Sequence, residues 1–255
     1  MILRVKDVTK KFSGLTALHE VSFGVKENSI KGLIGPNGAG KTTLFNIITG
    51  VFPPNEGEVF WQDTEISGHK PEIISCMGVS RTFQQPHLFS SLTVWENVML
   101  GRHCKTKAEF FACGFRFPAA RKEETDIRQK ALEYLHVFGL LDKKDRIARS
   151  LSLGEQRYLE VARALATEPK LLLLDEPTSG LNDQETDRFR DRLFKVRDMG
   201  ITILVIEHHM KFIMNVCDEI VVLNFGVKIA EGSPLEIQNS PPVIEAYLGA
   251  EEEID

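Results

Sequence analysis

One run, Gly35-Pro36-Asn37-Gly38-Ala39-Gly40-Lys41-Thr42-Thr43, constrains this 255-residue chain more than any other. It fits the pattern G-x-x-x-x-G-K-[ST] at every defined position. The apolar stretch Ile30–Ile34 before it reads as a short buried strand, and Leu44–Ile48 after it reads as the start of a helix. Such a strand–loop–helix context lets glycines turn the backbone so that successive N–H groups face one phosphate group. The helix that follows points its positive end at the same group. Lys41 can reach β- and γ-phosphates, and the Thr42 hydroxyl can ligand Mg²⁺.

Composition narrows the class. Apolar residues make up 42% and charged residues 26%, as expected of an ordinary globular protein. The net charge of −5 gives no basic footprint for nucleic acid. No apolar run approaches the roughly 18 residues of a membrane helix. Met1–Phe12 carries charge throughout and has no signal-peptide core. Cys76, Cys104, Cys113 and Cys217 are scattered, which favours reduced thiols.

Leu3–Val8, Val21–Val25 and Glu58–Trp61 read as strands, with a turn at Pro53–Gly57. The stretch 86–150 reads as mostly helical, with Leu92–Leu100 and Glu123–Phe138 the stronger segments. From Ser152 the chain alternates: helix Glu155–Ala166, strand Lys170–Leu174, helix Gln184–Met199, strand Ile201–Ile206. Alternation around a phosphate loop implies a parallel sheet covered on both faces. The acidic tail Glu251–Asp255 reads as a solvated end.

A second motif is Leu171-Leu172-Leu173-Leu174-Asp175-Glu176, an apolar strand ending in two carboxylates. Ligands of such sheets lie beyond the carboxyl ends of the strands. Asp175 is thereby placed to hold Mg²⁺ and Glu176 to polarise an attacking water. Phosphoryl transfer needs few protein groups beyond such positioning and charge stabilisation.

A third run, Leu151-Ser152-Leu153-Gly154-Glu155-Gln156-Arg157, resembles the L-S-G-G-Q signature of ABC ATPases. The resemblance extends from Leu3 to about Gly249. It implies an α/β fold: a RecA-like P-loop ATPase core with an antiparallel β-subdomain and an inserted helical subdomain. Residues 1–85 and 168–255 would form the core and β-subdomain, and residues 86–167 the helical subdomain. Within the resemblance, Ser152 and Gly154 match residues that meet the γ-phosphate, while Leu153 replaces the first glycine. Phe12 matches the aromatic residue on which adenine stacks. Gln84 matches the glutamine joining Mg²⁺ and attacking water to the helical subdomain, with Gln85 as a competing candidate. Ser179-Gly180-Leu181-Asn182 matches the D-loop, with Asn182 where aspartate is common, and His208 matches the switch histidine, followed by His209 where aspartate is frequent.

The cofactors so implied are ATP and Mg²⁺. The implied partners are a second ABC ATPase subunit, so that Ser152 and Gly154 complete the partner's site, and integral membrane permease subunits. A solute-binding protein would act indirectly, and no nucleic acid is expected. The location would be the cytoplasmic face of the cell membrane, held through the permease. Arg81-Thr82-Phe83-Gln84, the stretch Leu92–Val98, the long segment Gly101–Lys122 and the ending Val243–Gly249 resemble the larger ATPase type of branched-chain amino acid uptake systems. Urea or short-amide uptake and lipopolysaccharide export are the alternatives within the family. A soluble ABC ATPase acting on ribosomes or DNA, and a GTPase or small-molecule kinase, are alternatives of other classes. The Phe-rich segment His103–Arg121 is expected to fold back on its own subdomain, and Pro86, Leu88 and Phe89 to form an apolar patch for the permease.

Overall fold

Two sheets organise the chain, each built from the strand patterns that the sequence carries. The computed structural model describes residues 1–85, 87–102 and 118–248. Pro86, most of the Phe-rich segment with Cys104 and Cys113, and the acidic tail therefore lie outside the described residues.

The first sheet is antiparallel, in the order β2-β1-β4-β5. It comprises β1 (Leu3–Phe12), β2 (Leu15–Val25), β4 (Glu56–Trp61) and β5 (Thr64–Glu65). Both β1 and β2 run further than alternation suggests. Their pairing is interrupted by register shifts, and Asp7 and Glu20 adopt φ of 49° and 48°. Such bulges break the period-2 pattern by which a strand is read from sequence.

The second sheet has the order β10-β9-β3-β8-β7-β6. Here β3 (Ile30–Ile34), β6 (Val79–Arg81), β7 (Leu171–Asp175), β8 (Thr202–Ile206) and β9 (Glu219–Asn224) are parallel, and β10 (Val227–Gly232) is antiparallel to β9. The central strands β3, β7 and β8 are buried at every residue. Alternate side chains enter different cores: Leu171, Leu173 and Leu204 pack beneath α1 (Lys41–Ile48) and the antiparallel sheet. Leu172, Leu174 and Ile203 pack on the opposite face. There they meet α3 (Val94–Gly101), α4 (Pro118–Val137), α5 (Leu153–Leu165), α6 (Asp183–Asp198) and α7 (Met210–Val216). This is why β7 can be an unbroken apolar run.

Among the described residues, four helices begin with reciprocal capping boxes: Thr93–Glu96, Ser152–Glu155, Asn182–Glu185, and Ser233–Glu236 at α8 (Pro234–Gln238). Asn182, which departs from the family's usual aspartate, is thus the N-cap of α6, accepting from Glu185 N at 3.0 Å. The free thiols Cys76 and Cys217 stand apart, one exposed and one buried. Burial also pushes the Cys217 thiol far up in pKa. Among the described residues no helix is long and apolar enough to cross a membrane.

Candidate active site

The phosphate loop joins β3 to α1, and its course depends on glycine at both ends. Gly35 has φ 149°, and a Cβ there would stand 2.1 Å from the Leu223 carbonyl oxygen. Gly40 has φ 101°, and a Cβ would meet Ala17 O and a Leu18 methyl at 2.7 Å. Only glycine meets both demands. Gly40 is also the N-cap of α1, so no side chain caps this helix and no acidic residue stands in its first turn. The first-turn N–H groups are left for an anion. Asn37 and Gly38 are exposed at the loop's crest, and Thr42 is exposed just behind it.

Lys41 is 8% exposed, and its Nζ donates to Gly35 O at 2.7 Å and Pro36 O at 2.9 Å. Burial lowers its pKa, and the nearby Glu176 and Asp175 act against that shift. Parallel pairing of β3 with β8, and of β8 with β7, brings the ends of these strands together.

Asp175 ends β7, 5% exposed. Its Oδ2 accepts from Arg81 Nη2 at 2.8 Å. Glu176 follows in a left-handed conformation, φ 47°, a strain of roughly 1–3 kcal/mol for a residue with a side chain. Its N–H donates to Ile206 O at 2.9 Å, which holds the turn. The carboxylate so presented accepts from Gln84 Nε2 at 2.9 Å and stands 3.7 Å from His208 Nδ1. Gln84, not Gln85, therefore reaches Glu176. His208 is largely exposed at 60% of its side chain.

Phe12 lies at the end of β1, 42% exposed. It meets Phe52 edge to face with ring centroids 5.3 Å apart, and Lys10 Nζ lies 5.2 Å from its centroid. Ser152 and Gly154 lie on α5, engaged with α5 and α6 rather than with the phosphate loop. The Ser152 hydroxyl accepts from Glu155 N, and a Cβ on Gly154 would stand 3.0 Å from Glu185 Oε1. Leu153 reaches the next loop: a Cβ on Gly180 would be 2.8 Å from its Cδ2.

Two residues of the site escaped the sequence reading as individuals. Arg81 pairs with Asp175. Glu207, 1% exposed, accepts from Thr178 N and Oγ1 at 2.8 and 2.6 Å and from the N–H groups of His208 and His209 at 3.2 and 3.4 Å. It thus ties the loop after Glu176 to the segment carrying His208. The signal for Glu207 was available: a carboxylate closing the apolar strand Ile203–Ile206, as Asp175 closes β7.

No three or more His, Cys, Asp or Glu side chains converge as a metal cage among the described residues. The residues that the family resemblance assigns to the cation, Asp175, Thr42 and Gln84, carry one carboxylate and two neutral oxygen donors. That suits Mg²⁺, which retains water and phosphate oxygens and takes only one or two carboxylates.

The ABC transporter family model matches residues 18–179, and that of the branched-chain amino acid ATP-binding cassette transporter matches residues 227–253. This chain belongs to the ABC transporter family and is an ATP-binding ATPase of it, with the RecA-like P-loop fold. It is 41% identical over 249 residues to the high-affinity branched-chain amino acid transport ATP-binding protein LivG of Salmonella typhimurium, covering 97% of this chain and 98% of LivG. A crystal structure of the ADP conformation of an ATP-binding cassette of an ABC transporter superposes with TM-score 0.85 at 33% identity, over 97% of this chain and 98% of that one. A dimeric cassette in a post-hydrolysis state bound to ADP and Pi matches with TM-score 0.76 at 27% identity, over 91% of this chain and 98% of that one.

Proposed function

We propose that this chain is the motor subunit of a high-affinity uptake system for branched-chain or related amino acids, working at the cytoplasmic face of the cell membrane. The observation that carries the reading is likeness to LivG along almost the whole chain, together with the match of residues 227–253 to the branched-chain amino acid cassette model. ATP sits on the phosphate loop from Gly35 through Pro36, Asn37, Gly38, Ala39 and Gly40 to Lys41, Thr42 and Thr43, with adenine against Phe12. Thr42, Asp175 and Gln84 would hold Mg²⁺, which would supply charge neutralisation at the phosphates. Glu176 accepts a proton from the attacking water. Gln84, 2.9 Å away, and His208 hold that carboxylate and the γ-phosphate in place. A second ATPase subunit closes on the nucleotide through Ser152 and Gly154, as the dimeric relative suggests. Residues 86–167 act as the helical subdomain, and a solute-binding protein delivers solute to the permease.

A groove of about 490 Å³ supports a permease-docking surface. It lies between the α2 helix (Pro71–Cys76) and α5, lined by Val51, Ile74, Phe83, Phe89 and Leu100 among others. Phe89 is 52% exposed, whereas Leu88 is half-buried against the core. Only part of the expected patch is therefore open. Buried Asn97 shapes this rim, accepting from Phe89 N at 2.9 Å and donating to Phe89 O at 3.1 Å. A helix end of a membrane permease would fit such a groove.

The reading is tested by reconstituting the chain with its permease subunits in proteoliposomes, with a solute-binding protein outside and ATP inside. ATP-dependent accumulation of leucine, isoleucine or valine is the expected result. Accumulation of urea alone would move the chain to the amide branch of the family. A Phe89→Asp variant should keep its Tm and ATP affinity while losing uptake.

A further inference from the structure

We propose that Arg81 is a positioning residue that occupies the Asp175 carboxylate and competes with the divalent cation for it, so that metal enters the site together with ATP rather than before it. The inference rests on the reading of Asp175 as a Mg²⁺ ligand.

Arg81 ends β6, the strand paired in parallel with β7. That pairing sets its guanidinium beside Asp175, with Nη2 donating to Oδ2 at 2.8 Å and both side chains under one-tenth exposed. The group is fixed from several sides. Nη1 donates to Asn46 Oδ1 of α1 at 2.7 Å, and the Phe45 and Phe83 rings lie 5.4 and 5.3 Å from its centre. Guanidinium is always charged, and here it cannot swing away without breaking these contacts. A dication on Asp175 would stand within a few Å of a fixed positive charge in a poorly solvated place, where repulsion is weakly screened. The triphosphate adds several negative charges and reverses that balance. The same arginine is linked to α5 through Phe83, on whose ring it lies. The Phe83 N–H donates to Glu160 Oε1 at 3.2 Å, and the Phe83 carbonyl accepts from Arg157 Nη1 at 3.3 Å. Both partners lie on α5.

The test uses Mn²⁺ as the probe, with free Mn²⁺ read by electron paramagnetic resonance on the full chain, with and without a non-hydrolysable ATP analogue. Wild type should bind Mn²⁺ weakly without nucleotide. Arg81→Met should bind it at least about tenfold more tightly under the same condition. Adding Asp175→Asn should remove the gain, and Arg81→Lys, which keeps the charge, should stay within about threefold of wild type. Should Arg81→Met fail to fold, Arg81→Gln, able to keep the Asn46 bond, carries the same expectation. Nucleotide-free Mn²⁺ affinity equal to wild type in the charge-removing variants would overturn the proposal. The single variant Asp175→Asn, measured with the analogue, separates two failures. Unchanged Mn²⁺ affinity there means that Asp175 is no metal ligand, and the inference falls with that reading. A lost affinity there, beside Arg81 variants that behave as wild type, overturns the role of Arg81 alone.

Discussion

The N-termini of α1 and α5, the two helix ends that the motifs assign to phosphate, are built in opposite ways. At α1 the N-cap is Gly40, no side chain caps the helix, and no acid stands in the first turn. Its N–H groups are committed to nothing within the side chains, and a buried lysine stands beside them. At α5 the N-cap is Ser152, whose hydroxyl accepts from Glu155 N, while Glu155 Oε2 accepts from Ser152 N at 3.1 Å. Glu155 is an acid in the first turn, paired with Lys143, whose bond helps hold its carboxyl below the usual range against burial. The first end is preorganised for phosphate and needs no partner. The second is already satisfied, so any phosphate docking there would have to share what the capping box uses. We infer that α1 holds nucleotide in the single subunit, whereas α5 contributes only when two subunits close.

The largest effect that tests this division is on chemistry. Glu176→Gln should lower kcat by about 10²- to 10⁴-fold, the usual cost of removing a general base. Its calorimetric ATP affinity should remain near that of wild type, because the phosphate loop is intact. Turnover within threefold of wild type would remove Glu176 from that role.

Lys41→Ala should weaken ATP binding by roughly 2–5 kcal/mol, the scale of losing one partner of a buried charge contact. Calorimetry on the isolated subunit reads this directly. An unchanged affinity would mean that α1 binds by its backbone alone, and the contrast with α5 would shrink to the caps.

Ser152→Arg attacks the other end. ATP affinity of the single subunit should stay within about threefold, while dimer formation and ATP turnover fall by about tenfold or more, since the bulky cation sits where the partner's phosphate arrives. Size-exclusion chromatography in ATP and a turnover assay decide it. A loss of monomer affinity instead would show that α5 serves its own subunit's nucleotide.

The smallest effect concerns Glu160 on α5, whose carboxyl burial pushes up in pKa. The folded chain then holds a proton that the unfolded chain releases more readily, so this residue's contribution to stability is present at acid pH. It is lost as pH rises from the ordinary carboxylate range through the raised value. Glu160→Gln removes that dependence. The variant's Tm should gain a few °C on wild type between acid and neutral pH, followed by differential scanning calorimetry. Parallel profiles for both proteins would mean that Arg157 and Arg163 fully offset the burial.

Much of the fold and site could be read from the chain because the chemistry is local. A phosphate loop works through the backbone of consecutive residues, so its pattern carries both the shape and the ligand. The run Leu171–Leu174 with Asp175 and Glu176 declares a doubly buried strand and what lies at its end. The cap at Asn182 was not read, although its partner Glu185 stands only three residues on. Less legible were the long bulged strands β1 and β2, whose period is broken at Asp7 and Glu20. The elements after β8, from α7 to the α9 helix (Pro241–Leu248), are short or weakly periodic and carried no clear reading.

By itself, then, the sequence determined the class, the nucleotide motifs and the two-faced parallel sheet. Tertiary structure alone decided which strands are neighbours. That choice sets Arg81 on Asp175 across residues far apart in the chain. It also lays Glu207 between the loops of Glu176 and His208, opens Phe89 to the groove and half-buries Leu88 against the core. The reason is physical. A motif fixes the torsions and groups of adjacent residues, whereas an ion pair or a buried face depends on the packing of segments that no local pattern brings together.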